Sequence, residues 1–179
     1  GSVMSNVVSI EPAVTPSGWV CQTGASGRLV GQSLLFGSLA QSFRAPNIDD
    51  VSTLGRFDSG IEVPSAGLAP ERGLTSELGV RARGRAISAT VVAFRTNLTD
   101  LIDRVRATYD GLPVFDGQPV FQKANVGEAR VTGWESELEW RPGPAVVVTA
   151  HTTATRGQAL TRNEPMRRIP PLHGGVTLQ

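Results

Sequence analysis

The chain has 179 residues, enough for one domain, and its formal net charge of +1 gives no bulk attraction to nucleic acid. The single cysteine, Cys21, excludes an internal disulfide and has no metal-ligand spacing around it. No apolar stretch reaches the roughly 18 residues of a membrane-spanning helix.

Strand patterns dominate the chain, with alternating apolar and polar residues broken by Gly, Pro, Asp and Asn. In chain order, the predicted strands are 23–30, 33–43, 73–83, 86–103, 127–140, 145–156 and 174–179. A short strand at 120–124 leads into the fifth of them. The sequence therefore predicts an all-β fold, an antiparallel meander of about seven or eight strands.

The connections between these strands alternate between short and long. The short ones are 31–32, 84–85 and 141–144, and the long ones are about 44–72, 104–119 and 157–173. An up-and-down outer-membrane barrel has this rhythm, because its periplasmic turns are short and its extracellular loops are long. Inside the second long connection, Asp110-Gly111 and Asp116-Gly117 are typical of tight turns.

Polar and apolar side chains separate onto opposite faces of the predicted strands. The fifth strand has glutamates on one face: Glu135, Glu137 and Glu139. Its other face is apolar: Trp134, Leu138 and Trp140. A soluble antiparallel sheet with one wet face gives the same alternation. Strands of about 10–14 residues nevertheless exceed the usual 5–6 and match the 9–11 needed to cross a bilayer, which favours the membrane.

Four motifs follow one another between residues 34 and 178. A strand ends in Phe43-Arg44-Ala45-Pro46, and after a long loop the returning strand carries LAPE at 68–71 and ELG at 77–79. Three further segments follow in order: VVAFRTNLTDLIDRV at 91–105, NVGEARVTGWESELEW at 125–140 and PMRRIPPLHGGVTL at 165–178. Together, in this order, these segments resemble the barrel of TonB-dependent outer-membrane receptors.

The resemblance implies energy-coupled uptake of a scarce ligand, such as a ferric siderophore, haem or cobalamin, across the outer membrane of a Gram-negative bacterium. It implies outer-membrane lipid, the plug domain of the same receptor and the TonB energy-coupling complex as partners, and no cofactor. Such barrels have about 22 strands and a plugged lumen. Residues 1–179 are therefore expected to be part of one barrel domain, with the plug and the other strands outside this sequence.

Ligand contacts are expected in the long loops. The candidates are Asn47, Asp49, Asp50, Arg56, Phe57, Asp58, Tyr109, Asp110 and Phe115. Asn and Asp at these positions also suit ordinary turns. Haem receptors of this family commonly carry a histidine in the first loop, and none lies between Arg44 and Arg72. This departure argues against haem, and the resemblance implies a ferric siderophore because siderophores are the commonest ligands of the family.

Structural roles are expected for the other marked residues. The motif residues are Phe43, Arg44, Pro46, Pro70 and Glu71, of which Pro46 ends its strand and Arg44 is expected to pair with Glu71 or Glu77. The residues expected to line the lumen are Glu77, Arg81, Glu135, Glu137, Glu139 and His151.

Catalysis and metal binding find no support in the sequence. His151 and His173 lie far apart and far from Cys21, and no nucleophile accompanies a base, so neither an enzyme nor a metal site is expected. The alternative function is a soluble antiparallel β-sheet module for binding or adhesion.

Overall fold

The computed structural model describes residues 9–15, 18–28 and 32–179. The described residues form twelve strands and one short helix: β1 (Ser9–Thr15), β2 (Gly18–Arg28), β3 (Ser33–Arg44), α1 (Ile48–Ser52), β4 (Gly55–Phe57), β5 (Gly60–Val63), β6 (Glu71–Arg83), β7 (Ile87–Arg106), β8 (Val114–Phe115), β9 (Gln118–Gly143), β10 (Val146–Ala159), β11 (Glu164–Pro165) and β12 (His173–Leu178).

Eight of these strands form an antiparallel meander in the order β1-β2-β3-β6-β7-β9-β10-β12. Among the described residues, β1 pairs only with β2 and β12 only with β10, so the sheet is not closed. The long connections β3–β6, β7–β9 and β10–β12 lie at one end, the loop end, and the short connections β6–β7 and β9–β10 lie at the other, the turn end. The predicted all-β meander is confirmed.

The predicted division between 120–124 and 127–140 is wrong, because β9 runs without a break from Gln118 to Gly143. Its partner β7 likewise continues past residue 103, to Arg106. Register shifts around Leu101 interrupt the ladder between the two strands without ending either. Asp100, with φ +57°, supplies the irregular residue. The β7–β9 hairpin therefore extends beyond the rest of the sheet at the loop end.

The other differences between the predicted and the observed elements concern short or terminal strands and the helix. Neither β1 nor the first part of β2 was predicted, and residues 29–30 of the predicted first strand lie outside the described residues. Helix α1 and strands β4 and β5 occupy what was predicted as a long loop. Both Asp-Gly pairs are confirmed as turns, because all four residues have positive φ (49° and 77° in the first pair, 50° and 72° in the second).

The cross-strand register sorts the meander into two faces. The face with the glutamates, the polar face, places Glu137 opposite Thr90 on β7 and His151 on β10. The opposite face, the apolar face, carries exposed large side chains: Leu35, Leu39, Leu74, Leu78, Val80, Ile87, Val91, Trp134, Leu138, Trp140, Val176 and Leu178. A surface this rich in exposed apolar side chains requires a nonaqueous partner.

Gly133 on β9 lies where a side chain does not fit. A Cβ at this position would lie 2.6 Å from Cζ of Phe94 on β7 and still closer to the carbonyl oxygen of Ala154 on β10. We expect Gly133→Ala to lower the free energy of unfolding by about 1–3 kcal/mol. The matched change, Gly143→Ala, adds a methyl group with nothing within 4 Å and leaves stability unchanged. Thermal unfolding of the complete protein in detergent measures both, and equal melting temperatures for the two variants would contradict the expectation.

Candidate functional site

Arg44, the last residue of β3, joins the two strands that flank the first long connection. Its guanidinium donates from Nε to Oε2 of Glu71 at 2.6 Å and from Nη2 to Oε1 at 2.7 Å. A third hydrogen bond runs from Nη1 to Oδ2 of Asp50 at 2.8 Å. The predicted pairing of Arg44 with Glu71 is confirmed, whereas Glu77 accepts a hydrogen bond from Ser38 instead. Two-pronged pairing of this kind fixes the geometry as well as the charge.

Helix α1 brings Asp50 to Arg44. Asn47 caps the helix: its Oδ1 accepts from the Asp50 amide at 2.8 Å, and Asp50 Oδ2 accepts in return from the Asn47 amide at 3.1 Å. Burial of Asp50 opposes ionisation, but the hydrogen bonds from Asn47, Arg44 and Lys123 outweigh it and lower its pKa to about 2. The carboxylate is thus ionised at any pH near neutrality.

A second ion-paired group continues from Asp50 towards the β7–β9 hairpin. Lys123 on β9 donates to Asp50 Oδ1 at 3.2 Å and lies 3.6 Å from Oε1 of Glu62. The other oxygen of Glu62 is paired with Nε of Arg104 on β7. Glu62 is only 2% exposed, so both of its cationic partners compensate a buried charge. The six residues form one charged cluster: Arg44, Asp50, Glu62, Glu71, Arg104 and Lys123.

Strand β5 docks the first long connection onto β9. It pairs in parallel with residues 120–122 of β9, on the same edge of β9 that pairs with β10 nearer the turn end. Ile61, Val63 and Val120 are 7%, 8% and 0% exposed, so most of the buried apolar residues among those described lie here, with Ala129 farther along β9 as the other. Buried Ser65 adds a hydrogen bond, accepting from the Lys123 amide at 2.9 Å. The connection is therefore a folded unit.

Asn125 on β9 holds the return of this connection to β6. Its Oδ1 accepts from the Ala69 amide at 2.8 Å, and its Nδ2 donates to the carbonyl oxygens of Ala69 at 2.8 Å and Asp100 at 2.7 Å. The amide side chain thereby pairs with the backbone just before Pro70 and with the bulge of β7. These hydrogen bonds join the LAPE motif at 68–71 to the motif that begins at Asn125.

Aromatic rings and arginines alternate on the side of the hairpin that bears the charged cluster. The rings of Phe57 and Phe121 meet edge to face with centroids 5.4 Å apart. Arg104 lies over Phe57 at 4.5 Å and Arg106 over Phe121 at 4.6 Å. We call Phe57, Phe121, Arg104 and Arg106 the arginine–aromatic surface. Arg106 has no ion-pair partner in the part of the chain that the structure describes.

The loop candidates predicted from the sequence fall into two groups. Asn47 and Asp50 are occupied in capping α1 and in the charged cluster, and the backbone carbonyl oxygen of Asp49 accepts a hydrogen bond from Nζ of Lys123. The others lie near the arginine–aromatic surface or the hairpin tip: Arg56, Phe57, Asp58, Tyr109, Asp110 and Phe115. Arg56 pairs there with Asp116, and the Tyr109 and Phe115 rings meet edge to face at 5.1 Å.

Sequence reasoning missed Arg104, Arg106 and Phe121 as site residues. The signal was alternation, because Arg104 and Arg106 are separated by one residue on β7 and Phe121 and Lys123 by one on β9. The paired register Arg104 with Lys123 and Arg106 with Phe121 places them on one side. Because residues 104–119 are predicted as a loop from the sequence, the two-residue alternation of Arg104 and Arg106 was not recognised as a strand face.

The residues predicted to line a lumen share the polar face. Arg81 donates from Nε to Thr90 Oγ1 at 3.3 Å, and Glu139 pairs with Arg141 at 3.1 Å. By register, Glu77, Glu135, Glu137 and His151 lie on this same face. The direction that the face takes in a closed barrel stays a prediction.

The described residues contain no group of three or more His, Cys, Asp or Glu side chains placed to hold a metal ion. No helix among them is long and apolar enough to span a membrane.

Solved structures share this fold. The siderophore receptor PirA from Pseudomonas aeruginosa matches with a TM-score of 0.67 and 20% identity over 90% of this chain and 30% of its own. The Serratia marcescens hemophore receptor HasR, solved with its hemophore HasA and heme, gives 0.70 and 18% over 90% and 29%. The ferripyoverdine receptor of the outer membrane of Pseudomonas aeruginosa gives 0.65 and 15% over 90% and 20%.

These likenesses concern the fold, and the chain spans less than a third of the length of each solved structure. A comparison with curated protein sequences finds no significant match. The family model described as TonB dependent receptor-like, beta-barrel matches residues 23–179. The chain therefore belongs to the β-barrel family of TonB-dependent receptors.

Proposed function

We propose that this chain is part of an outer-membrane receptor that takes up a scarce ligand, with a ferric siderophore as the ligand class, in a Gram-negative bacterium. Uptake is driven by the TonB complex through a plug domain that lies in the barrel lumen. In this arrangement the polar face lines the lumen, the apolar face meets lipid, and the loop end is extracellular. Family membership and the siderophore receptors among the similar folds support the proposal.

The observation that carries the ligand class is the arginine–aromatic surface at the loop end. Ferric siderophores are bulky and often anionic or aromatic, and an arginine stacked on an aromatic ring offers both charge and a flat apolar contact to such a molecule. The surface lies on the same side as Arg44 and Glu71, which by register belong to the polar face. A ligand held there would lie above the lumen.

The distribution of histidines agrees with a siderophore rather than haem. The first long connection has no histidine, and the chain's two, His151 and His173, lie on β10 and β12, away from the arginine–aromatic surface. Family membership also argues against the alternative of a soluble binding or adhesion module, and the three proteins with similar folds named above are receptors.

The test is uptake and binding by the complete receptor that contains this sequence. Cells that depend on it are expected to accumulate radioactive iron from a ferric siderophore under iron limitation. Removing one guanidinium with Arg106→Ala should weaken siderophore binding by about tenfold, equivalent to about 1.4 kcal/mol. Arg85→Ala, an equal loss of charge at the turn end, serves as the control.

Two results would overturn the proposal. Uptake of haem iron with no response to any ferric siderophore would remove the ligand class. Equal siderophore affinity for Arg106→Ala, Arg85→Ala and the unchanged receptor would remove the arginine–aromatic surface as the binding site, while leaving the receptor assignment intact.

A further inference from the structure

Glu62 on β5 is a buried carboxylate that pairs with an exposed cation. Its side chain is 3% exposed, whereas the side chain of its partner Arg104 is 47% exposed. The backbone holds the carboxylate in place, because Glu62 lies opposite Phe121 in the parallel ladder between β5 and β9. Its neighbours Ile61 and Val63 are buried on either side of it. The fold thus fixes the anion and leaves the cation half exposed.

This pairing sets the orientation of the Arg104 guanidinium. Oε2 of Glu62 accepts from Nε of Arg104, and the guanidinium carbon lies 4.5 Å from the centroid of the Phe57 ring. Its two terminal nitrogens form no hydrogen bond to another described residue. An arginine that is held by its Nε and stacked on a ring presents these two nitrogens together, as the fork that binds an oxyanion through two parallel hydrogen bonds.

Arg106, on the same side of the hairpin, lacks such an anchor. Its guanidinium lies over Phe121 at 4.6 Å, but no carboxylate pairs with it in the part of the chain that the structure describes. A long side chain that is first ordered by its ligand loses rotamer freedom on binding, which weakens affinity by about twofold to tenfold. Arg104 has lost this freedom within the fold, before any ligand arrives.

Net charge does not make the charged cluster attractive to an anion. The cluster has three cations and three carboxylates, so its formal net charge is zero. The attraction that remains is directional, and it depends on where the Arg104 guanidinium is held. Considered only as a charge, Glu62 would repel an anionic ligand. Considered as the anchor of Arg104, it strengthens binding.

We propose that Glu62 is a positioning residue of the ligand site, which holds Arg104 as a fixed two-nitrogen donor for adjacent, negatively charged oxygens of the ligand. The inference rests on the proposed function and adds a residue that acts on the ligand only through another. It also makes the arginine–aromatic surface selective for anionic chelates, because an uncharged ligand gains little from the oriented fork.

The test compares the affinity of a ferric tris-catecholate, an anionic complex, for variants of the complete receptor in detergent. Glu62→Asp keeps the charge but is one methylene group shorter, which draws the carboxylate back from Arg104. We expect the affinity to fall about three- to tenfold. Arg104→Ala should weaken binding at least as much. Adding Glu62→Asp to Arg104→Ala should cause no further loss, since Glu62 then has no guanidinium to position.

A matched control separates positioning from loosening of the connection between β3 and β6. Asp50→Ala removes a carboxylate from the same connection, with its contacts to Arg44 and Lys123, and leaves Arg104 paired with Glu62. If loosening were the cause, Asp50→Ala would weaken binding as much as Glu62→Asp does. We expect it to bind the complex more tightly than Glu62→Asp.

Three results would overturn the inference. They are an unchanged affinity in Glu62→Asp, a further loss when Glu62→Asp is added to Arg104→Ala, and an equal loss in Asp50→Ala. Each of these leaves the proposed function intact if Arg104→Ala itself weakens binding. Unchanged affinity in both Arg104→Ala and Arg106→Ala would instead contradict the arginine–aromatic surface as the binding site, and the inference with it.

Discussion

Replacing Arg44 by alanine is expected to destabilise the folded connection between β3 and β6 by about 2–4 kcal/mol. The change removes three charge-assisted hydrogen bonds and leaves Asp50 and Glu71 as neighbouring carboxylates without their shared cation. Their side chains are only 11% and 16% exposed, so water replaces the guanidinium poorly. Arg44 itself is 46% exposed, which keeps the effect below that of a fully buried pair.

The measurement is limited proteolysis of this connection in the complete receptor, because cleavage follows the population of its opened form. A loss of 2 kcal/mol corresponds to about a thirtyfold faster cleavage between residues 44 and 71. Arg44→Lys should retain part of the protection, since lysine keeps the charge without the fork. Arg85→Ala at the turn end is the control. Unchanged cleavage in Arg44→Ala would mean that β5, without the charged cluster, secures the connection.

The sheet was predictable because its signals are local. Glu135, Glu137 and Glu139 alternate with Trp134 and Leu138, and a period of two reports a strand with two different faces wherever the strand lies. Short turns after residues 83 and 143 then fix which strands are neighbours. The Arg44–Glu71 ion pair was also predictable from the sequence, because Arg44 ends one strand and Glu71 begins the adjacent one.

The docked connection was not predictable because it depends on distant partners. Strand β5 has four residues and pairs in parallel with a part of β9 about 60 positions farther along the chain. No turn or repeat in the sequence therefore indicates this pairing. Glu62 reads as an ordinary polar loop residue until Arg104 and Lys123 are seen beside it. The predicted strand 86–103 already ran past Asp100 and the bulge, and only the last three residues of β7, 104–106, were assigned to the loop.

Asn125→Asp is expected to lower the stability of the docked connection by about 2–3 kcal/mol, although the amide and the carboxylate that replaces it have the same size. The amide nitrogen donates to the carbonyl oxygens of Ala69 and Asp100, at 2.8 and 2.7 Å. An ionised carboxylate has no hydrogen to donate, so an oxygen with negative charge would face two acceptors. We therefore expect the return to β6 and the bulge of β7 to separate from β9, which the same proteolysis assay would detect.

The pH dependence identifies the cause. Facing two carbonyl oxygens favours the protonated form of the introduced carboxyl group and raises its pKa, so the loss is full at neutral pH and shrinks as pH falls towards 4. Asn163→Asp is the matched control, because Asn163 uses only its Oδ1, as an acceptor from Gln158 at 2.9 Å, and a carboxylate accepts equally well. A loss that is the same at pH 4 and pH 7 would show that packing, rather than the missing donor, is responsible. A loss confined to neutral pH would identify the missing Nδ2 donor as the cause and give Asn125 a structural role. Ligand recognition would then fall to side chains such as Arg106, which form no ion pair among the described residues.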